Sequence, residues 1–444
     1  MEPKDASLRN RKFTIHTFGC QMNKNDSERL AGWLVESGAQ KADSLEESDI
    51  IIVNTCAVRA KSEEKFFSYL GRLSSLKKKK ERLIGVVGCI AQLYRSELLD
   101  KKPYVDFILG PDNYHRLPRI LSRRIGEKLI ATNWTRQWHE ASPRLIRESP
   151  VSASVTIMEG CNNFCTYCVV PFTRGREKFR PLRNVLMEIQ GLANDGYKEI
   201  QLLGQNVNSY RDPESGKSFS ALLNEASRFE GIHWIRFITS HPQNFTADIA
   251  RTMNDSEKVC RQLHLPLQSG SSSLLQRMNR KYSKEEYLEK ISLVRRLMPD
   301  IRLSTDIIVG FSGETEKDFL ETLQVLEDVR FANIFSFRYS PRPYTKAARM
   351  EDDVPQEEKR RRLMEVQRLQ KQIQMENHKA LVGKDMKVLV VGKSKKDPAT
   401  YSGRNEGYQV VNFTAPNNFI GQFVRVRISS CGPYSLRGEF LDSL

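Results

Sequence analysis

Over the first 130 residues the apolar positions fall in short continuous runs, separated by stretches with helical spacing. Phe13–Phe18, Asp49–Asn54 and Leu83–Val87 read as strands, and Asp26–Glu36 and Ser62–Leu76 as amphipathic helices. Apolar strands alternating with helices predict a parallel, doubly wound α/β sheet. Each strand run is followed within two residues by a cysteine, in Gly19-Cys20, Thr55-Cys56 and Gly88-Cys89. The carboxyl ends of such strands lie along one edge, where ligands bind. Cys20, Cys56 and Cys89 are therefore expected to converge; the alternative is three buried structural cysteines. The basic run Lys77–Lys80 reads as an ordinary solvated helix end.

A basic, irregular linker, Ile130–Pro150, carries Trp134, Trp138 and Pro143. The alternation then resumes. Ser154–Met158, Glu199–Leu203, Trp234–Thr239, Gln262–Leu267, Arg302–Val309 and Ile334–Tyr339 read as strands, with helices at Arg183–Asp195, Phe219–Phe229, Ser283–Leu297 and Glu316–Val329. Six β/α units predict a (β/α)6 partial barrel, whose chemistry would sit at the strand carboxyl ends. Polar clusters follow those ends: Gly204-Gln205-Asn206-Val207-Asn208, Ser240-His241-Pro242, Gln268-Ser269-Gly270-Ser271, Gly310-Phe311-Ser312-Gly313-Glu314 and Ser340-Pro341-Arg342-Pro343. Val354–Lys379 is a charged helix with Leu363, Val366, Leu369 and Ile373 at helical spacing, expected to pack on the barrel. Met386–Val391, Tyr408–Phe413 and Phe423–Ser429, separated by Gly and Pro, predict a small all-β barrel or sandwich.

The chain has 444 residues, 39% hydrophobic and 28% charged, with a formal net charge of +16. That is a globular composition long enough for two or three domains. The positive excess points to a polyanion, with nucleic acid first and a merely solvated cationic surface as the alternative. No stretch is long and apolar enough for a membrane span, and the first residues have no apolar signal core. A cytosolic location without membrane association is expected. There the eight cysteines would be metal ligands or buried small hydrophobes rather than disulfides.

The first barrel strand ends in M-E-G-C-N-N-F-C-T-Y-C, which places Cys161, Cys165 and Cys168 within eight residues. Thiolate is the preferred ligand of zinc and iron–sulfur centres. Zinc sites usually show two short pairs, and no second pair exists; Cys260 and Cys431 stand alone. Three thiolates on a four-iron cubane leave one iron open to a substrate.

This triplet, with Tyr167 before its last cysteine, resembles the signature of the radical S-adenosylmethionine superfamily. With the second trio and a basic β module, where Leu381–Leu444 holds nine Lys or Arg against five Asp or Glu, the chain resembles the methylthiotransferase family. The motifs T-F-G-C-Q-M-N-K-N-D-S-E, N-T-C-A-V-R, G-C-N-N-F-C-T-Y-C-V-V-P-F-T-R-G-R-E, L-L-G-Q-N-V-N-S-Y and H-L-P-L-Q-S-G-S are similar to the branch acting on N6-isopentenyladenosine 37 of tRNA. The resemblance implies a cluster domain over 11–128, a radical core over 147–379 and an RNA-binding TRAM barrel over 380–444. It implies two 4Fe-4S clusters, held by Cys20, Cys56 and Cys89 and by Cys161, Cys165 and Cys168. One S-adenosylmethionine would methylate a sulfur at the first. A second, cleaved at the other, would give the radical that opens carbon 2 of the adenine to the methylthio group. The partners implied are the tRNA anticodon stem-loop and an electron donor such as a flavodoxin or ferredoxin.

Among supporting residues, Tyr167 is expected near the adenine of S-adenosylmethionine, or packed in the core. Gln205, Asn206, Ser240, Gln268, Ser304 and Asp306 are candidate contacts to cofactor or substrate, or loop hydrogen bonds. Arg174, Arg176, Lys178, Arg180 and Arg183 could grip phosphates or form a solvated face; Arg342 is a further candidate substrate contact. Which residues beyond the cluster ligands act in catalysis is not legible in the sequence. Phe179, Ser312 and Tyr344 depart from the family, which usually has Ser in R-E-x-S-R-P, Pro in G-F-P-G-E and Gly in S-P-R-P-G-T. Two other readings stay open. One is the same reaction on N6-threonylcarbamoyladenosine or a ribosomal protein; the other is an iron–sulfur RNA-binding protein without turnover.

Overall fold

The computed structural model describes residues 8–444 apart from 59, 123–127, 136, 139–143 and 396. Among these, no helix is long and apolar enough to cross a membrane. The first module runs β1 (Lys12–Thr17), α1 (Gln21–Glu36), β2 (Gln40–Lys41), β3 (Ile50–Thr55), α2 (Ala60–Lys79), β4 (Leu83–Gly88), α3 (Cys89–Tyr94), α4 (Ser96–Lys101), β5 (Phe107–Leu109), α5 (Leu117–Leu121) and β6 (Leu129–Ala131). The sheet is parallel, in the order β2-β1-β3-β4-β5-β6. Ile50 and Ile52 pack with Leu30 and Leu34 of α1 on one face. Ile51 and Val53 pack with Phe66, Leu70 and Leu73 of α2 on the other. Both faces are thus covered, and β3 is buried at all six positions and apolar over its first four, as a doubly wound sheet requires. Ile130 and Ala131, expected in the linker, instead form the sixth strand; three residues are too few to show a period. Positions 136 and 139–143 of that linker, Pro143 included, lie outside the described residues. In the basic run, Lys80 pairs with Asp49 at 2.6 Å and Lys77 pairs with Asp106.

The central module begins with β7 (Ser152–Thr156) and an antiparallel hairpin, β8 (Met158–Glu159) and β9 (Lys178–Phe179), with α6 (Val170–Thr173) between its arms. It continues α7 (Leu182–Asn194), β10 (Glu199–Leu203), α8 (Phe219–Ala226), β11 (Trp234–Phe237), α9 (Ala247–Asp255), β12 (Gln262–His264), α10 (Ser272–Arg277), α11 (Lys284–Leu297), β13 (Arg302–Val309), α12 (Glu316–Val329), β14 (Asn333–Arg338) and α13 (Gln356–Lys379). The parallel triplets β11-β10-β7 and β12-β13-β14 meet through a bridge between Ile235 and Val259. This is the six-stranded open barrel expected from the pattern, with α9 and the short α10 as additions. The apolar stripe of α13 joins the barrel core through Val366, Leu369 and Ile373.

The last module is a closed barrel, β15 (Asp385–Lys393), β16 (Tyr401–Asn405), β17 (Val410–Thr414), β18 (Phe423–Cys431) and β19 (Leu436–Ser443), in the order β15-β16-β17-β19-β18. Strands β16 and β19 escape the sequence pattern because polar residues and Gly fill them. Arg236, fully buried on β11, locks this barrel to the central one. Its Nε donates to Glu199 Oε2 at 2.6 Å, and its other nitrogens donate to the carbonyls of Glu406 (2.5 Å) and Asn405 (2.8 Å). The guanidinium stacks between the rings of Trp234 and Tyr408.

Candidate active site

In the first sheet the chain lays β2 on one side of β1 and β3 on the other, so the topological switch lies between β1 and β3, where ligands bind in such folds. Cys20 and Cys56 follow those two strands, and Cys89 follows β4. Cys20 caps α1; Asn23, in its first turn, turns its Oδ1 to 3.4 Å from both the Cys20 amide and thiol. Asn23 Nδ2 donates to Asn54 Oδ1 and the Thr55 carbonyl, and Asn54 donates back to the Asn23 carbonyl at 2.8 Å. This reciprocal pair ties the Cys20 turn to the Cys56 turn. A Cβ on Gly19 would lie 2.8 Å from the Cys56 Cβ and 2.4 Å from Asn23 Oδ1, so only glycine leaves room. The thiols interact: a hydrogen bond from Cys56 helps hold Cys20 down to about 6, while Cys56 is pushed up by Cys20, burial and the nearby Cys89. Cys20 is open to the surface and its two partners are buried.

Cys161, Cys165 and Cys168 occupy the loop that leaves β8. The Cys161 amide donates to the Gly175 carbonyl at 3.1 Å, and a Cβ on Gly160 (φ +81°) would meet the Arg176 carbonyl at 2.0 Å. From the far side the segment Met278–Arg280 grips the loop. The Thr166 amide donates to the Met278 carbonyl, and Asn279 Nδ2 to the Phe164 carbonyl. Arg280 is buried. Its guanidinium donates to Cys165 Sγ at 3.4 Å, to the Tyr282 hydroxyl at 2.8 Å and to the Pro266 carbonyl at 2.8 Å. Burial pushes Cys161 up to about 11 and Cys168 up to about 12, with Cys165 adding to both. Binding a metal here must therefore release protons. Among the described residues no three His, Cys, Asp or Glu side chains sit at single-ion spacing; a four-iron cluster takes one thiolate per iron and spreads its ligands more widely. Each donor set of three thiols fits such a cluster.

The ends of β10 and β11 hold a group of buried polar atoms with no protein partner: Asn206 Oδ1, both amide atoms of Asn208, Ser240 Oγ and His241 Nε2. The Gln243 amide donates to His241 Nδ1, so the neutral ring carries its proton on Nε2, a donor left without an acceptor. Orphaned groups of this kind are rare in folded proteins, and these atoms are free to take a ligand or ordered water. Asn206 and Ser240 were expected in such a role. Asn208 and His241 come from the same polar clusters without having been singled out. Gln205 Oε1 accepts the Gly160 amide at 2.5 Å and so braces the cysteine loop. Gln268 is buried at φ +74°, bridged by backbone to β13. Ser304 and Asp306 both engage His264, at 3.0 and 3.4 Å. Tyr167 packs edge-on against Phe311, its hydroxyl 3.5 Å from Arg280.

The arginine expectations need correction. Arg174 is 3% exposed and bound to Asp26, and Lys178 is buried against Asp112. Arg180 pairs with Glu188. Arg342, 8% exposed, pairs with Glu63 at 2.8 Å. Arg174 and Arg342 are thus held in buried ion pairs between modules rather than on an open basic face. Arg176 does stand exposed, over the Phe164 ring at 4.2 Å. No local pattern announced the pairs of Arg174, Lys178 and Arg342, whose partners lie 148, 66 and 279 residues away; only Glu188 is near, eight residues from Arg180. Arg280 was missed because it follows a helix rather than a strand.

Residues 12–110 match the Uncharacterized protein family UPF0004, 155–326 the Radical SAM superfamily and 379–441 the TRAM domain. A tRNA-2-methylthio-N(6)-dimethylallyladenosine synthase of Acetivibrio thermocellus is 46% identical over 97% of this chain and 91% of its own. One of Thermodesulfovibrio yellowstonii is 44% identical over 98% and 100%. Among solved structures, the radical S-adenosylmethionine methyltransferase TsrM of Kitasatospora setae, with cobalamin and a [4Fe-4S] cluster bound, superposes with TM-score 0.57. It is 14% identical over 76% of this chain and 74% of its own. The cobalamin-dependent S-adenosylmethionine radical enzyme OxsB gives TM-score 0.53 at 13% identity, over 82% and 56%. At those identities the likeness is one of fold.

Proposed function

The chain belongs to the tRNA-2-methylthio-N(6)-dimethylallyladenosine synthase family, and on that premise we propose that it adds a methylthio group to carbon 2 of N6-dimethylallyladenosine (the isopentenyl nucleoside) in tRNA. It is a radical S-adenosylmethionine transferase with two 4Fe-4S clusters. When bound, the clusters and S-adenosylmethionine supply reductive bond cleavage and the sulfur to be transferred. Cys161, Cys165 and Cys168 would hold the radical cluster and Cys20, Cys56 and Cys89 the other. Arg280 keeps a positive charge against Cys165. Asn206, Asn208, Ser240 and His241 offer unfilled donors and acceptors to the polar groups of S-adenosylmethionine. The buried Arg174–Asp26 pair ties the segment that follows Cys168 to the helix that follows Cys20.

The observation that supports this reading is that two three-thiol sets stand on the two sides of one seam, joined by the Arg174–Asp26 pair. An adenosine would enter between them. The reading includes a cytoplasmic location and a low-potential one-electron donor of the flavodoxin or ferredoxin kind. Mass spectrometry of tRNA nucleosides from cells lacking the chain tests it. The 2-methylthio nucleoside should vanish while its N6-dimethylallyl precursor accumulates. Unchanged 2-methylthio nucleosides would refute the assignment.

A further inference from the structure

The loop that follows β14 carries a side chain in a conformation that side chains avoid. Tyr344 has φ +67°, in the left-handed region that favours glycine. Its ring is not in a core that would repay that strain: Tyr344 is 62% exposed. Beside it stands Phe172 of α6, itself 37% exposed, with the ring centroids 6.3 Å apart and the planes 32° from parallel.

This pair sits where the two cysteine trios meet. Phe172 is four residues past Cys168. The Tyr344 loop is tied to the same cysteine loop by the Ala347 amide, which donates to the Thr166 carbonyl at 2.8 Å. It is tied to the other trio by Arg342, which pairs with Glu63 and donates to the carbonyl of Val58, two residues past Cys56. Lys346 and Arg349 stand exposed on the turn that follows. Two exposed rings with cations alongside, at the rim of a buried site, have the composition of a single-stranded RNA surface, where bases stack on aromatics and phosphates meet Lys and Arg.

We propose that Phe172 and Tyr344 form a stacking platform for the nucleobase next to the reacting adenosine, holding the neighbour while the target enters the seam. The proposal rests on the tRNA reading above. The platform explains why a strained aromatic persists at an exposed position: its ring contributes to the complex and nothing to the free fold. The two roles therefore respond in opposite directions to one substitution.

The test uses the full chain and an anticodon stem-loop RNA carrying 2-aminopurine beside the target adenosine. Wild type should quench the 2-aminopurine fluorescence on binding. Tyr344→Gly should bind about five- to a hundred-fold more weakly, lose the quenching, and melt at a higher temperature because the strain is relieved. Tyr344→Phe should keep both affinity and quenching. If Tyr344→Gly binds and quenches like wild type while wild type still modifies the RNA, the platform is refuted and the tRNA reading stands. If wild type itself does not bind the stem-loop, both fall.

Discussion

Arg174 and Asp26, 148 residues apart, form a buried ion pair across the seam between the first two modules. Each lies six residues past a cysteine, Arg174 after Cys168 and Asp26 after Cys20. The Tyr114 hydroxyl also donates to Asp26, at 3.4 Å. Burial pushes the Asp26 carboxyl up, and the guanidinium beside it works against that shift. The positive charge of Arg174 in turn helps hold the Cys20 thiol down. One pair thus couples the geometry of both trios.

Breaking this pair on one side leaves a buried, unmatched charge. Asp26→Asn should lower unfolding stability by about 3–5 kcal/mol, read from the urea midpoint. The double change Asp26→Leu with Arg174→Met should recover most of that loss. A single variant as stable as wild type would show that the seam does not depend on the pair.

Arg280 puts a buried cation against a thiol of the radical trio, and among the described residues it has no carboxylate partner. A positive charge there favours the reduced, more negative cluster. In Arg280→Gln the midpoint potential of that cluster, followed by EPR during dithionite titration, should fall by on the order of 60 mV, a tenfold change in reduced fraction for one electron. Iron content should hold, and Arg280→Lys should stay closer to wild type. An unshifted potential in Arg280→Gln would deny the residue this role.

How much of this could be read beforehand divides by chemistry. The thiol trios were legible because cysteine at a strand end is a local signal; the first two modules were legible because a basic, irregular linker interrupts one strand–helix alternation, and the third because its runs turn short and all-β. The short strands β2, β5 and β6 were not, since two or three residues show no period. Nor were the ion pairs of Arg174 and Arg342, because a charge in sequence does not reveal whether a distant carboxylate will bury it. Arg176 and Arg183, in the same run, stand on the surface. Tyr344 was visible only as an oddity until its backbone angle explained it.

His241 is buried, and burial lowers its pKa from 6.5 to about 2. The unfolded ring takes up a proton below about 6.5 and the folded ring does not until about 2, so acid favours the unfolded chain between those values. From pH 7 to pH 5 this one residue should remove about 2 kcal/mol of stability. His241→Gln should lose correspondingly less over the same interval in urea titrations of the cluster-free chain. Parallel losses in both proteins would place the acid sensitivity elsewhere.

The central claim is that the two trios hold separate clusters with separate tasks. The direct measurement is Cys89→Ala, purified and reconstituted without oxygen, assayed for iron, for 5′-deoxyadenosine and for methylthiolated stem-loop RNA. The account predicts a loss of about half the iron, continued formation of 5′-deoxyadenosine and no methylthio product. Full iron content with product still formed would contradict it.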